Sequence, residues 1–108
     1  KGSNVSVTLE CNEIPLIQGV YELAQKGFIP GGTKRNLDYV SSQVNFSKNI
    51  SQEQQYILAD AQTSGGLLIS VAKDKAEDLQ KTLTENNTLS SAVVGHVYNP
   101  AESTIYVN

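Results

Sequence analysis

The sequence predicts an α+β fold, in which helices pack with one mostly antiparallel β-sheet. Segments with an apolar residue at every second position, typical of half-buried strands, alternate with segments whose apolar residues recur at helical spacing. The last two strand-like segments are separated only by residues 99–103, a spacer short enough for an antiparallel hairpin. The order of these elements is related to the split βαβ arrangement.

The length and composition are those of one globular domain. The 108 residues are 39% apolar and 18% charged, and the formal net charge is −3. A chain of this size buries roughly two thirds of its unfolded surface, which is enough for a core. Because the chain has no surplus of basic residues, we expect no nucleic-acid partner. No apolar run approaches the roughly 20 residues that cross a bilayer, so we expect no membrane partner and a cytoplasmic location.

The chain is expected to begin with a strand and a helix. Apolar and polar residues alternate over residues 4–10, which predicts a strand. Over residues 15–26 the apolar residues recur at helical spacing, and Pro15 suits the first turn of a helix. Gly27 can take the left-handed conformation that ends such a helix.

The middle of the chain is expected to be irregular. Residues 28–49 show no sustained period, and residues 29–32 mark a turn, so we predict a long connection. Connections of more than about 12 to 15 residues are usually functional or disordered. Ser51 and Gln54 form a capping-box signature, which predicts a short helix that runs toward Asp60.

The last part of the chain is expected to supply most of the sheet. Residues 67–72 are almost uninterruptedly apolar, which predicts a central strand covered on both faces. Asp74 and Glu77 repeat the capping signature ahead of a helix whose charged residues form a solvated face. Residues 92–98 and 104–107 are predicted to be the two strands of the hairpin.

The loop that precedes residues 67–72 is the first candidate site. It contains two hydroxyls and two glycines, in the order Thr63, Ser64, Gly65 and Gly66. Glycines allow an anion to approach the backbone amides closely, which favours a phosphate contact. The same composition also suits a tight turn that leads into a buried strand. Taken alone, these residues leave both interpretations open.

Residues 31–36 are the second candidate site. Thr33 can donate a hydrogen bond, Asn36 adds an amide, and the planar guanidinium of Arg35 suits a phosphate or a carboxylate. The segment lacks the P-loop pattern, in which a glycine is followed four residues later by Gly-Lys-Ser/Thr. The alternative is a surface turn in which Arg35 caps the end of a nearby helix.

Neither the single cysteine nor the single histidine is predicted to be catalytic. Cys11 excludes an internal disulfide, and no neighbour in the sequence supplies a base or a cation that would activate its thiol. His96 is expected on the surface of a strand, on the opposite face from Gly95 and Val97. No cluster of carboxylates in the sequence suits a magnesium site. We therefore predict no catalytic residue and no metal ligand in this chain.

The two candidate segments together resemble the carboxy-terminal domain of the selenide, water dikinase (selenophosphate synthetase) family. That domain is of the aminoimidazole-ribonucleotide-synthetase-like type. The matching motifs are Pro-Gly-Gly-Thr-Lys-Arg-Asn at residues 30–36 and Leu-Ala-Asp-Ala-Gln-Thr-Ser-Gly-Gly-Leu-Leu at residues 58–68. Ala61 stands where the family commonly has proline. The resemblance is tight over about residues 14–71 and looser beyond them.

The resemblance implies that residues 1–108 are a single carboxy-terminal domain, a fragment of a longer enzyme that lacks the amino-terminal ATP-binding domain. Enzymes of this family make selenophosphate, the selenium donor for selenocysteine, from selenide, ATP and water, and release AMP and phosphate. The resemblance implies ATP and Mg²⁺ in the full-length enzyme and none in this fragment, which is expected to be inactive. The implied partners are the amino-terminal domain and a second copy of the full-length protein, in a homodimer.

The resemblance also implies a location for the candidate residues, on the cleft between the two domains, where they hold phosphate or stabilise the walls. These residues are Thr33, Arg35, Asn36, Thr63, Ser64, Gly65 and Gly66. A purely structural role for both loops is the alternative. Two further alternatives are the equivalent domain of a related ATP-dependent synthetase, of purine synthesis or hydrogenase maturation, and a non-catalytic phosphate-binding or interaction module.

Overall fold

The computed structural model describes residues 2–108, and over these residues the fold is α+β. Four strands and four α-helices follow one another among short connections. The strands are β1 (Ser6–Leu9), β2 (Val44–Phe46), β3 (Gly95–Tyr98) and β4 (Ile105–Val107). The helices are α1 (Val20–Gln25), α2 (Gly31–Val40), α3 (Gln52–Ala59) and α4 (Ala76–Glu85). The predicted fold class is therefore confirmed.

The four strands form one mixed sheet in the order β2-β4-β1-β3. Strand β1 pairs with β3 in the antiparallel sense and with β4 in the parallel sense, and β4 pairs with β2 in the parallel sense. The sheet is mostly parallel, so the prediction of a mostly antiparallel sheet was wrong.

The predicted hairpin between the last two strands was also wrong, because β3 and β4 lie on opposite sides of β1. The connection 99–103 must therefore pass one end of β1, where Ser6 holds it. The hydroxyl of Ser6, which is only 1% exposed, donates to the carbonyl oxygen of Ser103 at 2.8 Å and accepts from the amide of Ala101 at 2.8 Å. A buried serine in the first strand thus fixes the crossing between the last two.

The first strand lies within its predicted range, but α1 is shorter than predicted. Helix α1 begins at Val20 instead of residue 15, because Gly19 immediately before it has a φ of 87°. Pro15 therefore lies outside the helix, and its predicted place in the first turn was wrong. Gly27 has a φ of 83° just beyond the end of α1, so its predicted left-handed conformation is confirmed.

The predicted irregular connection over residues 28–49 was wrong, because it contains α2 and β2. Helix α2 follows Pro30, and the predicted turn at residues 29–32 instead leads into its first turn. The fully buried residue of α2 is Thr33, and the apolar Leu37 and Val40 are only half-buried. A helix that starts with two glycines and buries a threonine has no apolar stripe that a sequence pattern could detect.

The capping box of α3 is confirmed. The hydroxyl of Ser51 accepts from the amide of Gln54 at 3.3 Å, and the side-chain oxygen of Gln54 accepts from the amide of Ser51 at 2.8 Å.

The second capping signature was wrong, because α4 is preceded by a 3-10 turn at Lys73–Lys75 and has Lys75 at its cap without a side-chain hydrogen bond. Its charges are solvated as predicted, and Lys81 and Glu85 form an exposed ion pair at 3.9 Å.

The predicted central strand over residues 67–72 was wrong. The positions on both sides of β1 are occupied by β3 and β4, and residues 67–72 lie outside the sheet. Their apolar side chains are exposed: Leu67 is 89% exposed and Leu68 is 77% exposed. Apolar composition alone therefore does not place this segment in the core.

The helices α1, α2 and α3 are joined through α3, which contacts both of the others. The buried apolar residues among those described are Ala24, Ile50 and Val107, and they are accompanied by the buried polar residues Ser6, Thr8 and Thr33. Every helix within residues 2–108 is too short and too polar to cross a membrane.

Candidate functional site

The carboxyl end of α3 meets α2 through a buried threonine. Thr33, in the first turn of α2, is 2% exposed, and its hydroxyl donates to Oδ1 of Asp60, the residue that follows α3. The two residues are 27 positions apart in the sequence. This hydrogen bond therefore joins the first turn of α2 to Asp60, three residues before the candidate loop at residues 63–66.

A second hydrogen bond joins the same two helices. The side-chain amide of Asn36 donates to the carbonyl oxygen of Ala59 at 3.0 Å. The last carbonyls of a helix have no partner within the helix, so Asn36 satisfies one of them. Because residues three apart lie on one face of a helix, Thr33 and Asn36 present the same face of α2 to the end of α3.

The carboxylate of Asp60 also holds the loop that follows it. Its Oδ2 accepts a hydrogen bond from the side-chain amide of Gln62 at 3.1 Å. Both oxygens of Asp60 therefore have neutral donors, one from α2 and one from the loop. The carboxylate links α2 to Gln62, the residue before the candidate loop at residues 63–66.

The loop itself is exposed to solvent at Thr63, Ser64, Gly65 and Gly66. A Cβ added at Gly65 would lie 2.9 Å from the Cβ of Gln62, closer than real Cβ atoms approach, whereas a Cβ at Gly66 would meet nothing within 4 Å. The backbone path at Gly65 therefore depends on the absence of a side chain. Gly66 is under no such steric restriction.

Arg35 is exposed at the amino end of α2. Its Nη1 lies 3.5 Å from the position that a Cβ at Gly31 would take, and its Nη2 lies 4.0 Å from the corresponding position at Gly32. The guanidinium thus folds back over the first turn of the helix. Helix amino ends carry partial positive charge, so this cation and the helix end favour the same kind of ligand, an anion.

The structure divides the seven predicted site residues into two groups. The side chains of Thr33 and Asn36 are engaged with residues 59 and 60, Thr33 from a buried position and Asn36 from an exposed one. Arg35 and the loop residues 63–66 are exposed and accessible to a ligand.

Sequence reasoning missed two contributions to this site. It named Asp60 only as the residue toward which a short helix runs, and it assigned no role to Gln62. The signal was present only in part, because an acid followed two residues later by an amide is a common local arrangement. The partner of that acid, Thr33, lies too far away in the sequence for any spacing rule to find it.

A groove of about 430 Å³ lies on another face of α2, between α2 and α3. The ammonium of Lys34 lies 5.9 Å from the centre of the Tyr56 ring beside it, within the range of a cation–π contact. The seven predicted site residues do not line this groove. It is therefore separate from the Thr33–Asp60 contact.

Cys11 follows β1, and His96 lies within β3. Burial raises the pKa of the Cys11 thiol above its ordinary value of 9.0, which keeps the thiol protonated near neutral pH. His96 is exposed on β3, as predicted, and its ring centre lies 6.2 Å from that of Tyr98, two residues along the strand.

The residues present do not fit a magnesium ion on their own. Within residues 2–108, no three side chains of the His, Cys, Asp or Glu type lie close enough together to hold a metal ion. Mg²⁺ prefers an octahedral shell of oxygens. Asp60, the acid nearest the candidate loop, already accepts hydrogen bonds at both of its oxygens.

Comparison with known proteins gives one consistent family name. No family model matches the chain. Selenide, water dikinase of Clostridioides difficile is 43% identical over 107 residues, which cover 99% of this chain and 31% of that protein. The enzyme of the same name from Aliarcobacter butzleri is 36% identical over 98% of this chain and 31% of its own length. The one from Caldanaerobacter subterraneus is 43% identical over 97% of this chain and 30% of its own length.

The chain spans about a third of the length of these curated relatives. The match nevertheless covers almost every residue of the chain, including both candidate segments. This chain therefore belongs to the selenide, water dikinase family, and it corresponds to about a third of the length of these relatives.

Proposed function

We propose that this chain is the carboxy-terminal domain of a selenide, water dikinase. In this proposal the full-length enzyme makes selenophosphate from selenide, ATP and water and releases AMP and phosphate. The observation that carries the proposal is the 43% identity over 99% of the chain to a protein of that name. ATP and Mg²⁺ belong to the full-length enzyme, and the isolated domain is inactive because it has no metal site of its own within the described residues.

Within that enzyme, the domain supplies part of the wall that surrounds the phosphates. Arg35 and the hydroxyls of Thr63 and Ser64 are exposed polar groups of the two segments, and the amides of Gly65 and Gly66 follow them. Charge-assisted hydrogen bonds from a guanidinium are among the strongest contacts to phosphate. Thr33 and Asn36 hold the wall in place, because their side chains are engaged with the end of α3.

The remainder of the polypeptide is the proposed partner of the exposed apolar segment 67–71. Contiguous exposed apolar surface on a soluble domain usually marks an interaction site. Four large apolar side chains are exposed here, namely Leu67, Leu68, Ile69 and Val71. The relatives are about three times as long as this chain, so they contain enough further polypeptide to cover it. The enzyme as a whole is proposed to act as a homodimer in the cytoplasm.

The activity is tested by incubating the purified full-length protein with ATP, Mg²⁺ and selenide and following the products by ³¹P NMR. We expect selenophosphate, AMP and phosphate to form together, and we expect AMP formation to depend on selenide. AMP or ADP formation at the same rate with and without selenide would contradict the proposed activity.

The phosphate contacts are tested in the full-length protein with Arg35→Ala and Ser64→Ala. Loss of a hydrogen bond to a charged group is expected to raise KM for ATP about tenfold for Arg35→Ala and less for Ser64→Ala. Lys81→Ala is the matched control, because Lys81 is an exposed cation on α4 whose recorded partner is Glu85. Unchanged KM and kcat in both site variants would leave these two residues without a role in phosphate binding.

A further inference from the structure

We propose that Asp60 is a positioning residue that sets the conformation of loop 61–66, with Thr33 orienting its carboxylate and Gln62 transmitting that orientation to the loop. The proposal extends the function proposed above, because it concerns the loop whose hydroxyls and amides are assigned to phosphate. The proposal gives a role to Asp60, which forms no ion pair among the described residues. It also gives a reason for the buried hydroxyl of Thr33 on α2.

The first step concerns the orientation of the carboxylate. Thr33 is 2% exposed and belongs to a ten-residue helix, so its hydroxyl has a fixed position. That hydroxyl donates to Oδ1 of Asp60. The contact between Asn36 and the carbonyl of Ala59, at 3.0 Å, fixes the backbone immediately before Asp60. The carboxylate is therefore held from α2 by one side-chain contact to itself and one to its neighbour.

The second step carries this orientation into the loop. Oδ2 of Asp60 accepts from Nε2 of Gln62 at 3.1 Å, which restricts the side chain of Gln62 although that residue is otherwise exposed. The backbone at Gly65 lies against the same side chain, so closely that an added Cβ would be 2.9 Å from Cβ of Gln62. The contacts therefore run from Thr33 through Asp60 and Gln62 to Gly65.

The third step concerns charge. An unpaired carboxylate beside a phosphate site would repel the ligand. Here both oxygens of Asp60 accept hydrogen bonds from neutral groups of the protein, Thr33 and Gln62. Both oxygens are thus engaged with protein groups. Asp60 can therefore organise an anion-binding loop without making contact with the anion.

The experiment measures the accessibility of the loop directly. Limited digestion of the full-length protein with subtilisin, followed by mass spectrometry, gives the rate of cleavage within residues 61–66. We expect Asp60→Ala and Gln62→Ala to raise this rate about tenfold, because each removes a hydrogen bond to a charged group. We expect Lys81→Ala to leave the rate unchanged.

Two matched pairs distinguish positioning from general loss of stability. Thr33→Val removes the hydroxyl and is expected to raise the cleavage rate, whereas Thr33→Ser keeps the hydroxyl and is expected to retain the native rate. Gly65→Ala is expected to raise the rate by displacing Gln62, whereas Gly66→Ala has nothing within 4 Å to displace. If Thr33→Val does not fold, Gln62→Ala, at an exposed position, still tests the proposal.

The same variants separate this proposal from the function on which it rests. Native cleavage rates in both Asp60→Ala and Gln62→Ala would overturn the positioning role. Faster cleavage together with a KM for ATP raised about tenfold at nearly unchanged kcat supports both proposals. Faster cleavage with an unchanged KM supports the positioning role and contradicts the assignment of the loop to phosphate.

Discussion

Two neighbouring parts of the chain, residues 31–60 and residues 63–71, differ in how far they are packed against the rest of the fold. The first part contains α2 and α3, which contact each other and enclose Thr33. The second part is exposed along its length, although it contains the apolar residues Leu67, Leu68, Ile69 and Val71. The comparison teaches that polar contacts organise this molecule near its candidate site, while apolar side chains remain available to a partner.

The largest expected difference in unfolding free energy is between Gly95→Ala, at a packed position, and Gly66→Ala, at an exposed one. A Cβ at Gly95 would lie 2.0 Å from the carbonyl oxygen of Thr8, a backbone atom of the paired strand β1. Because the backbone cannot yield without breaking the pairing, Gly95→Ala is expected to cost about 3 kcal/mol or more of the free energy of unfolding. Gly66→Ala is expected to change it by less than about 0.5 kcal/mol. Urea unfolding of the two variants measures both, and equal midpoints would contradict the comparison.

A smaller difference in unfolding free energy is expected between the variants Thr33→Val and Thr63→Val. Thr33→Val leaves Oδ1 of the half-buried Asp60 without its donor, which is expected to cost about 2 kcal/mol of unfolding free energy. Thr63→Val, in the exposed loop, is expected to change it by less than about 0.5 kcal/mol. Both values come from the same denaturant titration. A loss at Thr63 as large as that at Thr33 would show that the loop is packed and not exposed.

Leu68 sharpens the comparison in the opposite direction. At 77% exposure, Leu68→Ser is expected to change the unfolding free energy by less than about 0.5 kcal/mol. Exposed apolar surface promotes association, so we expect the 108-residue chain to self-associate in sedimentation velocity and Leu68→Ser to reduce this by interrupting the exposed apolar segment. A loss of about 2 kcal/mol or more would instead place Leu68 in a buried strand, as the sequence pattern predicts.

The smallest effect is expected from Cys11 and depends on pH. Burial raises the pKa of the Cys11 thiol above 9.0. The unfolded chain therefore loses the thiol proton at a lower pH than the folded chain does. The stability that this group contributes is complete below pH 9.0 and is lost as the pH rises through the folded-state pKa. Unfolding of the native chain and of Cys11→Ala at pH 8 and pH 10 measures the difference. A native chain that loses no more stability than the variant would contradict the assignment.

Much of the fold could be predicted where local signals act alone. The capping box of α3 and the left-handed Gly27 depend on neighbouring residues, and both predictions were confirmed. The strand β1 was confirmed too, but its buried positions are the polar Ser6 and Thr8 instead of the apolar residues. Helix α2 could not be predicted, because its buried residue is a threonine and its first two residues are glycines. The partners of β1 could not be predicted either, since pairing depends on which strands meet and not on the pattern within each strand.

The two candidate segments could be chosen from the sequence, but the contacts that Thr33 and Asn36 make with the end of α3 could not. The hydroxyls and glycines of residues 31–36 and 63–66 identified both segments from composition and order. The hydrogen bond from Thr33 to Asp60 spans 27 residues and depends on the packing of α2 against α3. Which side chains are engaged with the end of α3 depends on how α2 packs against it, which the sequence does not display.

The central claim, that α2 and the end of α3 are joined through the Thr33 hydroxyl and the Asp60 carboxylate, is tested most directly by a double-mutant cycle. The unfolding free energies of the native chain, Thr33→Val, Asp60→Ala and the double variant give the coupling between the two side chains. We predict a coupling of about 1 to 2 kcal/mol, as expected for a hydrogen bond to a charged group. Additive losses, with a coupling within about 0.3 kcal/mol of zero, would contradict the claim.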